Sequence, residues 1–239
     1  MSTATTDQSA LKVEYSLVPV SGSYDLADVQ HRFAMLKTSP QPTLLVRRCL
    51  PTAAFSRQDM LLPNIEQALA TARTYGFEPT IRHVGGHLVA YDEGSLVIHL
   101  LSGLQHSPSE LHQRFSVLAA ALCEAVARLG VPEVRIGSIE NEYCDGAWSI
   151  NVAGIAKLAG TGQRLSKYGW AWSALLCVQP SRKVTDFLTN CYQQLDIELN
   201  PVTIGSVADH VPTTSITQAA TIVIDTIRKA ITQLSPQRT

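Results

Sequence analysis

Residues 77–100 read FEPTIRHVGGHLVAYDEGSLVIHL. Three strand-like runs follow one another here, with turns between them. Phe77, Pro79 and Ile81 alternate with Glu78, Thr80 and Arg82, the period of two that sorts side chains onto opposite faces of a strand and turns Arg82 away from the apolar side. Gly85-Gly86 marks a sharp turn or a close backbone approach. Residues 87–91 form the next run, Asp92-Glu93-Gly94 reads as a hairpin turn, and Leu96, Ile98 and Leu100 then alternate with Val97 and His99. The glycine pair lies between strands and opens no helix, which excludes a dinucleotide-binding fingerprint.

Helical patterns flank this stretch. Leu26, Val29, Phe33 and Leu36 share one face of a helix over 26–37, with Asp25 as its N-cap. A helix over 59–75 ends at Gly76. Ser107-Pro108-Ser109-Glu110 starts a helix that runs to Leu129 and stops at Gly130. Further helices are expected over 181–195 and 214–234, with a loop over 200–212. Strands are expected over 12–20, 43–49, 133–136, 147–152 and 156–159. Residues 170–178 are almost wholly apolar and read as a central strand. Helices interleaved with hairpin-connected strands, rather than strict βαβ units, predict an α+β fold. The expectation is a single domain over 12–239, with a mixed or antiparallel sheet flanked by helices, after a disordered Ser/Thr-rich stretch at 1–11.

Composition narrows the function. Of 239 residues 45% are apolar and 16% charged, a globular balance. The formal net charge is −1, which lacks the basic footprint of a nucleic-acid binder. No apolar run approaches the ~18 residues of a membrane span. The N-terminus lacks the basic start and apolar middle of a secretory signal, so a cytoplasmic location is expected. Five cysteines without CxxC spacing suggest neither a disulfide framework nor a metal site. Cys49, Cys123, Cys177 and Cys191 sit in strand- or helix-like runs and read as small core residues. Cys144 lies in Glu142-Tyr143-Cys144-Asp145-Gly146, a loop that presents a thiol to a cleft. A thiolate there needs a nearby cation, since Asp145 acts the other way.

Two segments join Cys144. Arg82-His83-Val84-Gly85-Gly86-His87 pairs a cation with a backbone a ligand can approach. Lys157-Leu158-Ala159-Gly160-Thr161-Gly162-Gln163-Arg164 sends a lysine into a Gly-x-Gly turn, where its ammonium can meet a carbonyl or phosphate. Their order resembles the lipoate/biotin protein-ligase and octanoyltransferase superfamily, which carries Arg-x-x-Gly-Gly, a strand pair, and later Lys-x-[Ala/Val]-Gly-x-x-Gln-Arg. Cys144, thirteen residues before Lys157, is similar to the Tyr-Cys-Pro-Gly loop of the branch that transfers octanoyl groups from the glycine cleavage H protein. Asp145 stands where that loop has Pro. Val84 stands where Ser is common, and Val97 and His99 stand where Asn and Ser or Thr are common. Transferases that draw on acyl carrier protein place their cysteine after the lysine in a Cys-Gly turn, and neither Cys177 nor Cys191 precedes a Gly. ATP-dependent ligases usually carry a third Gly where this chain has His87.

The resemblance implies the catalytic domain fold of the biotin/lipoate protein ligases and a cysteine-dependent acyltransferase. Cys144 would take an octanoyl or lipoyl group from a donor protein, the glycine cleavage H protein or acyl carrier protein. It would pass the group to a lysine of the apo lipoyl domains of 2-oxoacid dehydrogenase complexes, without cofactor, metal, nucleic acid or membrane. Cys144 and Lys157 are the implied catalytic pair, Lys157 holding the acyl oxygen and favouring the thiolate. Arg82, Gly85, Gly86, His87, His99, Gly160 and Thr161 are the implied substrate-binding residues. Backbone N–H groups near Gly85-Gly86 or Cys144 would complete an oxyanion site, with His99 or His83 as general acid. Arg47, Arg48 and Arg82 would face an acidic lipoyl domain. Two enzyme alternatives are an ATP-dependent lipoate or octanoate ligase and direct transfer from acyl carrier protein. A weakly active lipoyl-domain binder is the non-enzyme alternative.

Overall fold

A computed structural model describes residues 11–103 and 108–234. The chain forms β1 (Lys12–Val20), α1 (Gly22–Ala34), β2 (Thr43–Cys49), β3 (Thr52–Phe55), α2 (Ile65–Thr74), β4 (Glu78–Ile81), β5 (Val89–Tyr91) and β6 (Ser95–Ser102). It continues through α3 (Pro108–Arg128), β7 (Val134–Ile136), β8 (Ile150–Val152), β9 (Ala156–Ser166), β10 (Gly169–Cys177), α4 (Arg182–Gln194) and α5 (Ile216–Leu234). A seven-stranded sheet runs β1-β2-β6-β10-β9-β8-β7, and a small sheet runs β4-β3-β5. β1 pairs with β2 in parallel and every other pair in the large sheet is antiparallel, so the sheet is mixed, as expected. The apolar run at 170–178 becomes β10, the middle strand.

Alternation along the central strands divides the core. Leu96, Ile98 and Leu100 of β6 and Trp172, Ala174 and Leu176 of β10 pack under α3 and α5. The other face carries Val97 and His99 of β6 with Ala171, Ser173 and Leu175 of β10, and it lines a cavity. Phe33 and Leu36, from α1 and the turn after it, cover part of that face. The small sheet has its own core: Phe55 and Leu88 pack with Ala68 and Ala72 of α2 and Phe187 and Leu188 of α4.

Several expectations change. β3 was not foreseen; its Thr-Ala-Ala-Phe sequence is wholly buried and carries no alternation. The helix expected over 59–75 starts only at Ile65, after a 3-10 turn at Asp59–Leu61, because Pro63 would interrupt a helical ladder. Asp92-Glu93-Gly94 is not a hairpin: β5 pairs with β3 in the small sheet, and β6 enters the large one. The strand expected over 147–152 shrinks to β8, and that over 156–159 extends to Ser166. Gly160-Thr161-Gly162 is therefore strand, not turn. The loop over 200–212 contains two 3-10 turns, Pro201–Thr203 and Val207–Asp209. Asp25 is not a cap; Ser21 caps α1, its hydroxyl accepting from the Tyr24 N–H. The expectations for 1–10 and for Ser107 lie outside the described residues.

Candidate active site

The passage from the small sheet to the large one carries residues 82–88 over the open face of β9. Glycines at alternate positions clear that face, and Gly162 lies under Val84, where an added Cβ would come within 3.2 Å of the Val84 Cβ. The loop between β7 and β8 brings Cys144 against the same turn. A Cβ on Gly86 (φ +88°) would sit 2.6 Å from the Cys144 sulfur. The backbone of the glycine turn and the thiol are thus in direct contact, and only glycine fits between them.

Cys144 itself has φ +44°, a region non-glycine residues rarely occupy. Two tethers hold it there. Its N–H donates to the Tyr192 hydroxyl (2.7 Å), which donates in turn to the Leu88 carbonyl (2.8 Å). Its carbonyl accepts from Lys157 Nζ (2.7 Å). Lys157 is 1% exposed and donates also to the Tyr143 carbonyl (2.9 Å) and Glu142 Oε1 (3.1 Å). Glu142 is buried and accepts further bonds from the Ser149 hydroxyl and the Gly146 and Ile139 N–H groups. This buried, fully bonded ion pair fixes the loop. Three bonds use all the protons of an ammonium, so here Lys157 holds the loop rather than an open acyl subsite.

The cation at sulfur is Arg82. It is buried, and its guanidinium donates to Cys144 Sγ (3.1 Å) and to the His87 carbonyl. This corrects the outward-facing Arg82. Asp145 is exposed and makes no ion pair among the described residues. Burial, by contrast, pushes the thiols of Cys49, Cys123 and Cys177 up and that of Cys191 up to about 12.

A cavity of about 300 Å³ opens from Cys144 and Lys157 along the sheet, with Val29, Phe33, Val97, Ala171 and Leu175 among its apolar walls. Arg82, Gly85, Gly86, His99 and Gly160 all line it. Thr161 lines it too, but pairs with the core residue Ala174, and its hydroxyl donates to the Trp148 carbonyl (3.2 Å). His87 lies instead on another cavity beyond Cys144. The N–H groups of Gly85, Gly86 and Asp145 have no hydrogen-bond partner among the described residues.

The two histidines expected as general acid both line the cavity, but only His99 is engaged at both ring nitrogens. His99 lies between Ser173 Oγ (2.8 Å from Nδ1) and Asp25 Oδ2 (2.9 Å from Nε2). Burial, with Arg164 and Arg57, pushes the His83 imidazole below its ordinary value and toward the uncharged form. Arg47 is no docking residue: it is buried and paired with Asp25 and Asp28. Arg48 donates to backbone carbonyls of Glu93 and Leu17. Burial raises the Asp25 carboxyl, but His99 and Arg47 outweigh it and hold it below the usual range. Sequence reasoning missed the roles of Asp25, Asp59, Glu142, Ser173 and Tyr192. Glu142, two residues before the loop cysteine, was the one with a local signal.

Comparison with known proteins identifies relatives of this chain. Residues 28–233 match the model of the lipoyl protein ligase A/B catalytic domain. The chain is similar to the octanoyl-GcvH:protein N-octanoyltransferase of Geobacillus kaustophilus, 30% identical over 130 residues, 54% of this chain and 45% of that one. It is similar to the lipoyl-GcvH:protein N-lipoyltransferase of Listeria monocytogenes, 23% identical over 168 residues, 66% of this chain and 60% of that one. The chain thus spans about half the length of the curated relatives it matches. Its fold is that of the bi-partite lipoate protein ligase of Thermoplasma acidophilum (TM-score 0.69, 15% identity, 94% of this chain and 84% of that one).

Proposed function

The chain belongs to the lipoyl protein ligase A/B catalytic domain family, and from that membership and the Cys144 site we propose that it is a cysteine-dependent acyltransferase. It moves an octanoyl or lipoyl group from a lysine of a donor protein to a lysine of an apo lipoyl domain. The glycine cleavage H protein is the donor the relatives' names favour, ahead of acyl carrier protein, and the lipoyl domains of 2-oxoacid dehydrogenase complexes are the acceptors. The observation that carries this reading is the contact of the Cys144 sulfur with Arg82 and the Gly86 backbone at the mouth of an apolar cavity.

The acyl chain lies in the apolar cavity with its carbonyl at Cys144. The thiolate attacks that carbonyl, a C–S bond forms, and the donor amine leaves with a proton. The acceptor amine then attacks the thioester, and the electron pair of the broken C–S bond returns to sulfur beside Arg82. The free N–H groups of Gly85, Gly86 and Asp145 are the donors available to the tetrahedral oxyanion. Lys157 and Glu142 keep Cys144 at its positive φ, so that the sulfur meets the acyl carbon. Exchanging one amide for another is nearly balanced and needs no ATP. An adenylate-forming ligase needs a free ammonium near the phosphate, and the engagement of Lys157 favours the thioester reading over that alternative.

The test is an exchange assay without ATP, from octanoylated H protein to an apo lipoyl domain. Wild type should transfer the group and Cys144→Ser should lose at least about 100-fold, the scale of a misplaced or missing nucleophile. Equal transfer by both, or transfer that requires ATP, would overturn the proposal.

A further inference from the structure

Cys144 also borders a second cavity of about 460 Å³, most of whose lining residues are polar. His87 lies on it. His87 Nδ1 is 2.8 Å from Asp59 Oδ1, and a carboxylate only accepts, so Nδ1 is the donor and Nε2 is left as the acceptor of the neutral ring. Asp59 is fully buried and fixed by its own bonds: its Oδ2 accepts the Ser56 N–H (2.7 Å), and its N–H donates to Ser56 Oγ (3.1 Å). Among the described residues His87 Nε2 takes no partner. The carbonyl of the same residue shares the Arg82 guanidinium with the Cys144 sulfur, and both residues line this cavity. A buried carboxylate thus orients an imidazole on the same cavity that Cys144 borders, while His99 is engaged at both ring nitrogens.

Resting on the thioester reading above, we infer that His87 is the general acid and base for the lysine amines, which enter through the polar cavity. The two cavities divide the substrate: chain on one side of Cys144, amine on the other. In the first half-reaction a proton taken up from solvent at Nε2 passes to the departing lysine nitrogen as the C–N bond breaks. In the second, Nε2 takes a proton from the incoming lysine as its nitrogen bonds the acyl carbon and the thiolate leaves. Nε2 then returns that proton to solvent, so His87 ends each cycle as it began and no other reactant is consumed. The charged groups around it are Asp59 at Nδ1, Arg82 at its carbonyl, and Glu140, Asp145 and Glu198 on the same cavity. Glu142 and the Tyr192 hydroxyl line it as well, both committed to the Cys144 loop. The carboxylates favour a lysine ammonium at the entrance.

The test separates the amine step from acylation. His87→Asn keeps a donor toward Asp59 and removes Nε2. p-Nitrophenyl octanoate acylates a thiol with a leaving group that departs as an anion, so it needs no proton. Intact mass should show Cys144 acylated by this ester within about threefold of the wild-type rate in His87→Asn. That same result establishes that the variant is folded. Transfer from the acyl-enzyme to an apo lipoyl domain should fall about 100-fold or more, the scale of a lost general base, with KM for the domain unchanged. Asp59→Asn should lower transfer less than His87→Asn. Unchanged transfer in His87→Asn, with a normal acyl-enzyme, would overturn this inference alone. Failure of wild-type Cys144 to acylate from either the ester or octanoylated H protein would remove the thioester reading, and this inference with it.

Discussion

A methyl group on Gly86 would meet the Cys144 sulfur at 2.6 Å and the Arg82 guanidinium at 2.9 Å. Both the sulfur and the backbone would have to move, and φ +88° would be strained as well. Gly86→Ala should therefore slow acylation of Cys144 by about 100-fold, the scale of an ångström-sized misplacement, while the far-ultraviolet circular dichroism stays near wild type. Acylation at the wild-type rate would show that the contact does not matter. Lys157 and Glu142 are coupled differently. Each is buried, and removing one leaves the other charged without its partner, which costs about 3–5 kcal/mol. Lys157→Met should lower stability by that amount in urea unfolding. Adding Glu142→Gln should recover part of the loss. Additive losses in the double variant would mean that the pair is not a unit.

At the scale of elements, an ionic chain ties α1 to β2 and β6. Asp25 reaches both Arg47 and His99, Asp28 reaches Arg47 and Arg32, and Arg32 reaches Glu14 on β1. His99 passes the connection to Ser173 on β10, under the acyl cavity. Burial works against the Asp25 carboxylate, but His99 and Arg47 hold it below its ordinary value, and the hydrogen bond from Arg32 pulls Glu14 down to about 2. In both cases the unfolded chain takes the proton first. Stability from these groups is complete above the ordinary carboxylate values near ~4 and drains away as pH falls toward 2. Thermal melts between pH 7 and pH 2.5 should show this loss, and Asp25→Asn should melt lower at pH 7 and lose less on acidification. A variant with the same acid slope as wild type would mean that Asp25 does not drive it. Tyr192 makes the analogous link from α4, where its hydroxyl holds the Cys144 N–H and the Leu88 carbonyl. Tyr192→Phe should leave two polar groups unmet beside the nucleophile and slow acylation more than it lowers the melting temperature. An equal acylation rate would assign the positive φ of Cys144 to Lys157 alone.

Across the whole molecule, the site lies where two sheets meet, and that junction limits what a linear reading reaches. The central strands and the long helices were legible because periodicity reports burial directly. Val97 and His99 were correctly placed on the face opposite Leu96 and Ile98. The Arg82–Gly86 and Lys157–Arg164 segments and Cys144 were legible because glycine and charge in strand-rich sequence are scarce enough to stand out. β3 was not, since two alanines between Thr52 and Phe55 carry no period. Missing β3 made the 92–94 turn look like a hairpin and hid the step between sheets that carries Arg82 inward onto sulfur. Asp25 resembled a helix cap because an acid at a helix start is ordinarily one. Its partners, Arg47 and His99, are 22 and 74 residues away. The central claim is that these distant pieces converge to make Cys144 an acyl carrier. Intact-protein mass after incubation with octanoylated H protein, without ATP, tests it most directly. The account predicts one octanoyl adduct, absent from Cys144→Ala and released by an apo lipoyl domain; an adduct that persists in Cys144→Ala, or none on wild type, would contradict it.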